Sequence, residues 1–187
     1  MKKPCYLSLL SLLFTLTIFS QTLLPEFAVT NGTVTTIVKD GSTVYIGGAF
    51  THVGPNAPYG ASLNSTSGVP DMAFAKPNNN VIAVIPDGSG GWYIGGNFTQ
   101  VGEEVRNYIA RINADGSLHP WNPNASSAVS SLAVNGSTVY AGGSFTSIGG
   151  QTRNFIAALD ATTGLATAWD PNANGIVSSI VLNGSTV

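Results

Sequence analysis

Acid–base or metal chemistry in this chain would have to be built from two histidines, one cysteine and nine carboxylates. His52 and His119 stand in unrelated contexts, and neither belongs to an H-E-x-x-H motif or a paired Cys/His spacing, so a zinc ion would have no ligand set. Both read as surface-loop histidines. Glu103 and Glu104 are the only adjacent acidic pair. A glycosidase needs two carboxyls converging on one bond, whereas neighbours on a loop point apart. No G-x-S-x-G elbow occurs. Ser144 follows two glycines, but Ala49 and Asn97 hold the same place in two other copies of that phrase, which speaks against a nucleophile. Calcium loops need several oxygen ligands at alternate positions and a closing Glu. "KDGST" and "NADGS" offer one carboxylate each, and turn formation accounts for them. The expectation is a non-enzyme with no catalytic residue, no metal and no cofactor.

One polar pair recurs. Arg106-Asn107 and Arg153-Asn154 each precede a strand in a chain otherwise poor in charge. They are the candidate binding residues: a row of arginines at one mouth of the molecule could grip an anionic or sugar ligand. The alternative is structural, with each Arg bonding carbonyls of the preceding loop or of a neighbouring repeat; recurrence favours it. N-x-[ST] occurs at Asn31, Asn64, Asn97, Asn124, Asn135 and Asn183. Several of these belong to turns or strands, and they matter as glycan acceptors only if the source is eukaryotic.

Lys, Arg, Asp and Glu make up 9% of the 187 residues, against about 25% in an average globular protein. Apolar residues reach 43% and exclude a disordered chain. Gly, Ser, Thr and Asn interleave with Val, Ile, Leu and aromatics, a mixture suited to short strands and tight turns. Residues 1–20 read as a secretory signal: Lys2 and Lys3 form a positive start, Leu7–Phe19 is an apolar run, and cleavage falls near Ser20 and Gln21. The run is too short for a bilayer, which needs about 20 residues. A retained anchor is the alternative, since Ile18 fits the cleavage pattern poorly. Cys5 lies in the leader, so the mature chain would be exported without any disulfide. The leader holds two of the seven basic residues, leaving five against nine acidic ones, a net charge of −4. Five scattered cations cannot cluster on nucleic acid or anionic lipid. No nucleic-acid partner and no membrane insertion after signal removal are expected, and localisation is secreted or cell-surface.

Self-comparison shows a repeat. "VTTIVKDGSTVYIGGAFTHVG" begins at Val34, "VIAVIPDGSGGWYIGGNFTQVG" at Val81, "VSSLAVNGSTVYAGGSFTSIG" at Val129 and "VSSIVLNGSTV" at Val177; the starts are 47, 48 and 48 residues apart. Gly47-Gly48, Gly95-Gly96 and Gly142-Gly143 keep this beat, as do Phe50, Phe98 and Phe145. Each unit reads as four short strands. In the third these are 129–134, 138–145, 154–159 and 165–169, with Asn135-Gly136 as the first hairpin turn and a loop after the second strand. No stretch outside the leader carries a helical apolar period.

The expected fold is therefore all-β: a β-propeller of about three four-stranded blades, near 34–80, 81–128 and 129–176, plus the start of a fourth at 177–187. Residues 21–33 form a lead-in. Side chains at the Gly-Gly pairs would hold closely packed backbones apart. Trp121 and Trp169, with Phe74 in their place in the first unit, are expected to wedge between blades, each burying about 200 Å².

The phrase Y-x-G-G-x-F-T-x-[VI]-G at Tyr45, Tyr93 and Tyr140, followed by N-x-I-A and W-[ND]-P-N, resembles a bacterial propeller-repeat family of unknown function found in large secreted proteins. It is also similar to the kelch-like repeats of a fungal cortical polarity protein. The resemblance spans 33–187 and implies a fold without lending a catalytic motif. It departs from true kelch units, since Tyr108 to Trp121 and Phe155 to Trp169 are 13 and 14 residues apart, a wider spacing. "VLNGSTV" breaks off inside a phrase that "AVNGSTVYAGGSF" completes. The expectation is a piece of a longer chain whose remaining blades and domains lie beyond it; an open arc completed by another chain is the alternative. Function is expected to be that of a non-catalytic scaffold or binding module with an unknown protein or glycan ligand. Its alternatives are a lectin-like propeller or part of a glycan-active enzyme with catalytic residues outside this stretch.

Overall fold

The computed structural model describes residues 30–53, 59–71 and 73–187. The leader and the cleavage near Ser20 and Gln21 lie outside the described residues. Among those described there are only strands, turns and bends, and no helix is long and apolar enough to cross a membrane.

Three units follow one another. The first is β1 (Thr33–Asp40), β2 (Thr43–Ala49) and β3 (Gly60–Asn64). The second comprises β4 (Val81–Pro86), β5 (Trp92–Gly96), β6 (Gln100–Val101), β7 (Glu104–Val105) and β8 (Ile109–Ile112). The third comprises β9 (Val129–Asn135), β10 (Thr138–Gly143), β11 (Ser147–Ile148), β12 (Gln151–Thr152) and β13 (Ile156–Asp160). Each main sheet has three antiparallel strands with the second in the middle: β1-β2-β3, β4-β5-β8 and β9-β10-β13. The first strands β1, β4 and β9 pack side by side, so the three sheets are joined along their inner edges.

The expected fourth strand is reduced to one bridge per unit: Leu63 with Pro70, Ile112 with Leu118 and Leu159 with Ala166. In the first two units a proline, Pro70 or Pro120, removes the amide that would extend the ladder. In the first two units the chain then buries its aromatic, Phe74 or Trp121. The loop after the second strand carries a feature the sequence reading passed over, a two-stranded ribbon in the second and third units, β6-β7 and β11-β12. Residues 177–182 form no ladder. Val177 N–H donates to the Gly143 carbonyl at 3.3 Å and Ile180 N–H to Ser131 Oγ at 2.8 Å. Beyond the Asn183-Gly184 turn, Ser185–Val187 contribute the single bridge Asn183–Thr186.

Packing between units explains the paired glycines. A Cβ on Gly47 would lie 2.7 Å from Val81 Cγ1, one on Gly95 2.8 Å from Val129 Cγ1, and one on Gly142 2.7 Å from Val177 Cγ1. The first glycine of each pair thus receives the valine that opens the next unit. The second glycine faces its own unit's first strand: a Cβ on Gly48, Gly96 or Gly143 would collide with the carbonyl oxygen of Thr33, Asn80 or Ala128. A bulge in the first strand accompanies this approach, leaving Thr35, Ile82 and Ser130 unpaired in the register.

Two of the three aromatics near the ends of the units are buried, Phe74 and Trp121, and Trp169 is partly so. Phe74 is buried in a cluster with Val84, Trp92, Ile94, Ala110 and Ile112 of the second unit, its ring 5.1 Å from Tyr45 of the first. Trp121 packs edge-on to Tyr93 at 5.0 Å and donates its indole N–H to the Asp160 carbonyl of the third unit at 3.0 Å. Trp169 meets Tyr140 in the same way at 5.3 Å. Phe50, Phe98 and Phe145 are fully buried.

A polar staple recurs ahead of each first strand. Asn31 Oδ1 accepts from the N–H groups of Thr51 and His52, and Asn78 Oδ1 from those of Thr99 and Gln100. Ser126 Oγ accepts from Thr146 and Ser147 N–H at 3.0 and 3.1 Å. The lead-in of each unit is thereby tied to the turn after its second strand. Asn78→Ala should cost about 1–2 kcal/mol, because two N–H donors lose their acceptor, and Asn78→Ser should retain most of that stability. The midpoint of urea unfolding checks both, and equal losses would show that the side-chain oxygen carries nothing.

Candidate functional site

The Arg-Asn pairs are positioned by a strained residue immediately after them. Tyr108 and Phe155 have φ of +64°, as does Tyr59 at +63° in the first unit. Such values cost a non-glycine residue about 1–3 kcal/mol and persist only where the surroundings over-determine them. Here two backbone bonds do so: Tyr108 N–H to the Phe98 carbonyl at 2.8 Å and Gly96 N–H to the Tyr108 carbonyl at 3.0 Å. Phe155 repeats them with Phe145 and Gly143, both at 2.9 Å.

Held in this way, Arg106 donates from Nη1 to the Val105 carbonyl at 2.8 Å and from Nη2 to the His119 carbonyl at 3.5 Å. Arg153 donates to the carbonyls of Thr152 and Thr167, both at 2.7 Å. Each guanidinium spans from the end of the small ribbon to the outer edge of its own unit, with Glu104 at 3.9 Å from Arg106 and Asp170 at 3.4 Å from Arg153. Both Nε atoms are buried without a hydrogen-bond partner. Asn107 donates from Nδ2 to Asn124 Oδ1 at 2.7 Å, and Asn154 to Asn172 Oδ1 at 2.9 Å. The four side chains sit on corresponding edges of two units, and each bonds within its own repeat.

The remaining candidates are dispersed. His52 is exposed, and its amide is engaged by Asn31. Glu103 and Glu104 lie exposed in the β6-β7 ribbon. Ser144 Oγ is 2.9 Å from Ser127 Oγ. Among the described residues no three His, Cys, Asp or Glu side chains are gathered to hold a metal.

One charged cluster was not anticipated. Arg111 on β8 reaches Asp87 after β4, with Nε and Nη2 at 2.9 and 2.7 Å from Oδ2. The Asp87 side chain is 2% exposed and that of Arg111 19%. The guanidinium also lies over the Tyr93 ring at 5.3 Å and touches Ser89 Oγ at 3.2 Å. Burial alone would push the Asp87 carboxyl up. The Ser89 amide, Arg111, the Ser89 hydroxyl and the Gly91 amide outweigh it and hold the group below the usual carboxylate range. His119 stands beside this pair, partly buried rather than a free surface histidine. Its Nδ1 accepts the Trp121 N–H at 3.0 Å, and burial and the Arg111 charge lower its pKa. The signal available in the sequence was difference rather than repetition: the third unit has Asn135, Ala158 and Thr167 at these three places.

An open cleft of about 540 Å³ lies where the tail of the second unit meets the ribbon of the third. Asn122, Asn124, Ser147, Gln151, Thr152 and Leu165 line it, and none of its lining residues is aromatic or ionisable. The Gly149 N–H, bonded to the Pro123 carbonyl at 2.7 Å, closes its base. In the second unit the corresponding ribbon carries Glu103-Glu104 where the third has Gly150-Gln151, so the character of this surface changes from one repeat to the next.

Residues 86–120 and 136–162 match the model described as a domain of unknown function (DUF5122) beta-propeller. Together with three stacked antiparallel sheets, that match decides the architecture. The fold is a partial β-propeller. The chain superposes on the crystal structure of the computationally designed Ika4 protein with a TM-score of 0.57 at 13% identity, 84% of each chain being covered. It also superposes on that of the computationally designed Ika8 protein with a TM-score of 0.56 at 13% identity, over 80% of this chain and 40% of that one. At such identities the likeness concerns fold alone. No curated protein matches the chain. The matched propeller domain indicates no catalytic family.

Proposed function

We propose that this propeller is a non-catalytic scaffold and binding module of a secreted or cell-surface protein. The observation that carries this reading is where the polar side chains are used. The recurring Arg-Asn side chains bond within their repeats, the Asn78 and Ser126 oxygens are taken up by the turn after the next second strand, and the buried Asp87 carboxylate is neutralised by Arg111. What is left for a ligand is surface that varies between units, and it includes the open cleft between the second and third units.

That cleft also favours a carbohydrate reading. Neutral amides and hydroxyls on a shallow rim, with exposed Leu165 beside them, suit a polar, uncharged ligand better than a phosphate or a polyanion. Screening the protein on a glycan array tests this. Binding to neutral glycans, abolished by Gln151→Ala and unaffected by Glu103→Ala, is the expected result. No glycan retained on the array, or retention indifferent to Gln151, would leave the scaffold reading and remove the lectin-like one.

A further inference from the structure

One corner of the chain is built the same way in all three units from three different residues. Asp71, His119 and Thr167 donate their N–H groups to the carbonyls of Ser62, Arg111 and Ala158, which places them at equivalent positions. Each side chain then accepts the N–H two residues further on. Asp71 Oδ1 accepts from Ala73 at 2.9 Å, His119 Nδ1 from Trp121 at 3.0 Å and Thr167 Oγ1 from Trp169 at 3.2 Å. A carboxylate, an imidazole and a hydroxyl thus hold the same corner. Of these three side-chain types, only imidazole in its ordinary state changes protonation between pH 5 and 8.

In the second unit this corner positions a residue that joins two units. Trp121 is 2% exposed, its ring lies 5.0 Å from Tyr93, and its indole N–H reaches the Asp160 carbonyl of the third unit. To accept the Trp121 N–H, His119 Nδ1 must present its lone pair, so the proton of the neutral ring sits on Nε2. A second proton would go to Nδ1 and set a donor against a donor. Arg111 on β8 and Asp87 after β4 are the charges that act on the ring. Arg106, ahead of β8, holds the His119 carbonyl from Nη2 at 3.5 Å and has Glu104 at 3.9 Å. Burial and the Arg111 charge favour the neutral ring and outweigh Asp87.

We propose that His119 is an acid-released latch on the seam between the second and third units: neutral, it holds the Trp121 corner, and protonated, it lets that corner go. The folded chain binds this proton less readily than the unfolded chain does. The stability conferred by the latch is therefore complete above the unfolded value of about 6.5 and is lost progressively as pH falls below it. Thr167 has no such proton to take up, so the third unit keeps its corner over the same range. Asn122 and Asn124, which line the open cleft, follow Trp121 directly, so release of the latch reaches one wall of the cleft whatever that cleft binds.

An NMR titration of the full chain from pH 7.5 to pH 5 tests the proposal. His119 should carry its proton on Nε2 while neutral, and the Trp121 backbone amide resonance should move with the same midpoint as the imidazole. His119→Thr, which borrows the residue of the third unit, should hold that amide at its neutral position throughout. In urea, the unfolding constant of the wild type should rise about fivefold over this range relative to His119→Thr, the effect of losing one hydrogen bond. A Trp121 amide that ignores the titration of His119, or a neutral ring protonated on Nδ1, would overturn the proposal. So would a Trp121 amide or an unfolding constant that responds to acid equally in His119→Thr. Should that variant fail to fold, the wild-type titration decides alone through the first two of these outcomes.

Discussion

Gly96→Ala is expected to destabilise the fold by about 3 kcal/mol, the upper range for forcing an extra group into a packed interior. The added methyl would run into the Asn80 carbonyl oxygen and lie 3.0 Å from Val81 Cα. These are backbone atoms at the bulge that sets the first strand of the second unit, so no side-chain rotation relieves the clash. The bulge would have to open, and Val81 would shift from its seat against Gly47 in the preceding unit, spreading the damage across an interface. Gly136→Ala is the comparison. That glycine has φ of +56° in an exposed hairpin turn with nothing within 4 Å of a Cβ, so only the left-handed conformation is penalised, at about 1 kcal/mol. Urea unfolding of the two variants separates close approach from backbone conformation. Equal losses would mean that the Gly-Gly pairs serve flexibility rather than contact.

Arg111→Ala should cost about 3 kcal/mol, because removing one partner of a buried pair leaves the other charge uncompensated. Asp87 would keep the Ser89 and Gly91 amides but lose both guanidinium contacts while remaining almost wholly buried. The double variant Asp87→Asn with Arg111→Ala should recover to within about 1 kcal/mol of wild type, since the third unit folds with Asn135 and Ala158 at those positions. pH adds a second test. The Asp87 pKa is lower in the folded chain than in the unfolded one, so the unfolded state takes up the proton first as pH falls. The stability from this group is fully present above the unfolded value of about 3.9 and is lost as pH drops below it. Asp115 and Asp160, held low by their own turn hydrogen bonds, titrate in the same range. The difference between wild type and the double variant isolates Asp87, and that difference should shrink toward pH 3. A pH-independent difference would show that the ion pair does not contribute through charge.

Which parts of this were legible in advance follows from the range of each interaction. Paired glycines, the valine that opens each unit and the Asn-Gly or Asp-Gly turns are local, and three copies reinforce one another. The staple was not legible, because its third copy has Ser126 where Asn31 and Asn78 stand, so that only a side-chain oxygen three residues before the opening valine recurs in all three. The small ribbons β6-β7 and β11-β12 were too short to leave an alternating pattern. The Arg-Asn pairs were visible as a repeat, but their direction was not: whether a guanidinium reaches a ligand or the carbonyls of Thr152 and Thr167 depends on the left-handed Phe155 beside it. Asp87 and Arg111 are 24 residues apart and meet because β5 pairs with both β4 and β8, so no window of sequence contains their contact.

The sequence by itself determined that short strands recur every 47 or 48 residues, where they turn, and which positions must lack a side chain, because turn geometry and close packing act on neighbouring residues and are written again in each copy. Tertiary structure decided the rest: which valine fills which glycine gap, which carbonyl each arginine holds, and that Asp87 is neutralised by Arg111. Those outcomes come from strands brought side by side by the fold, where distance along the chain no longer measures distance in space.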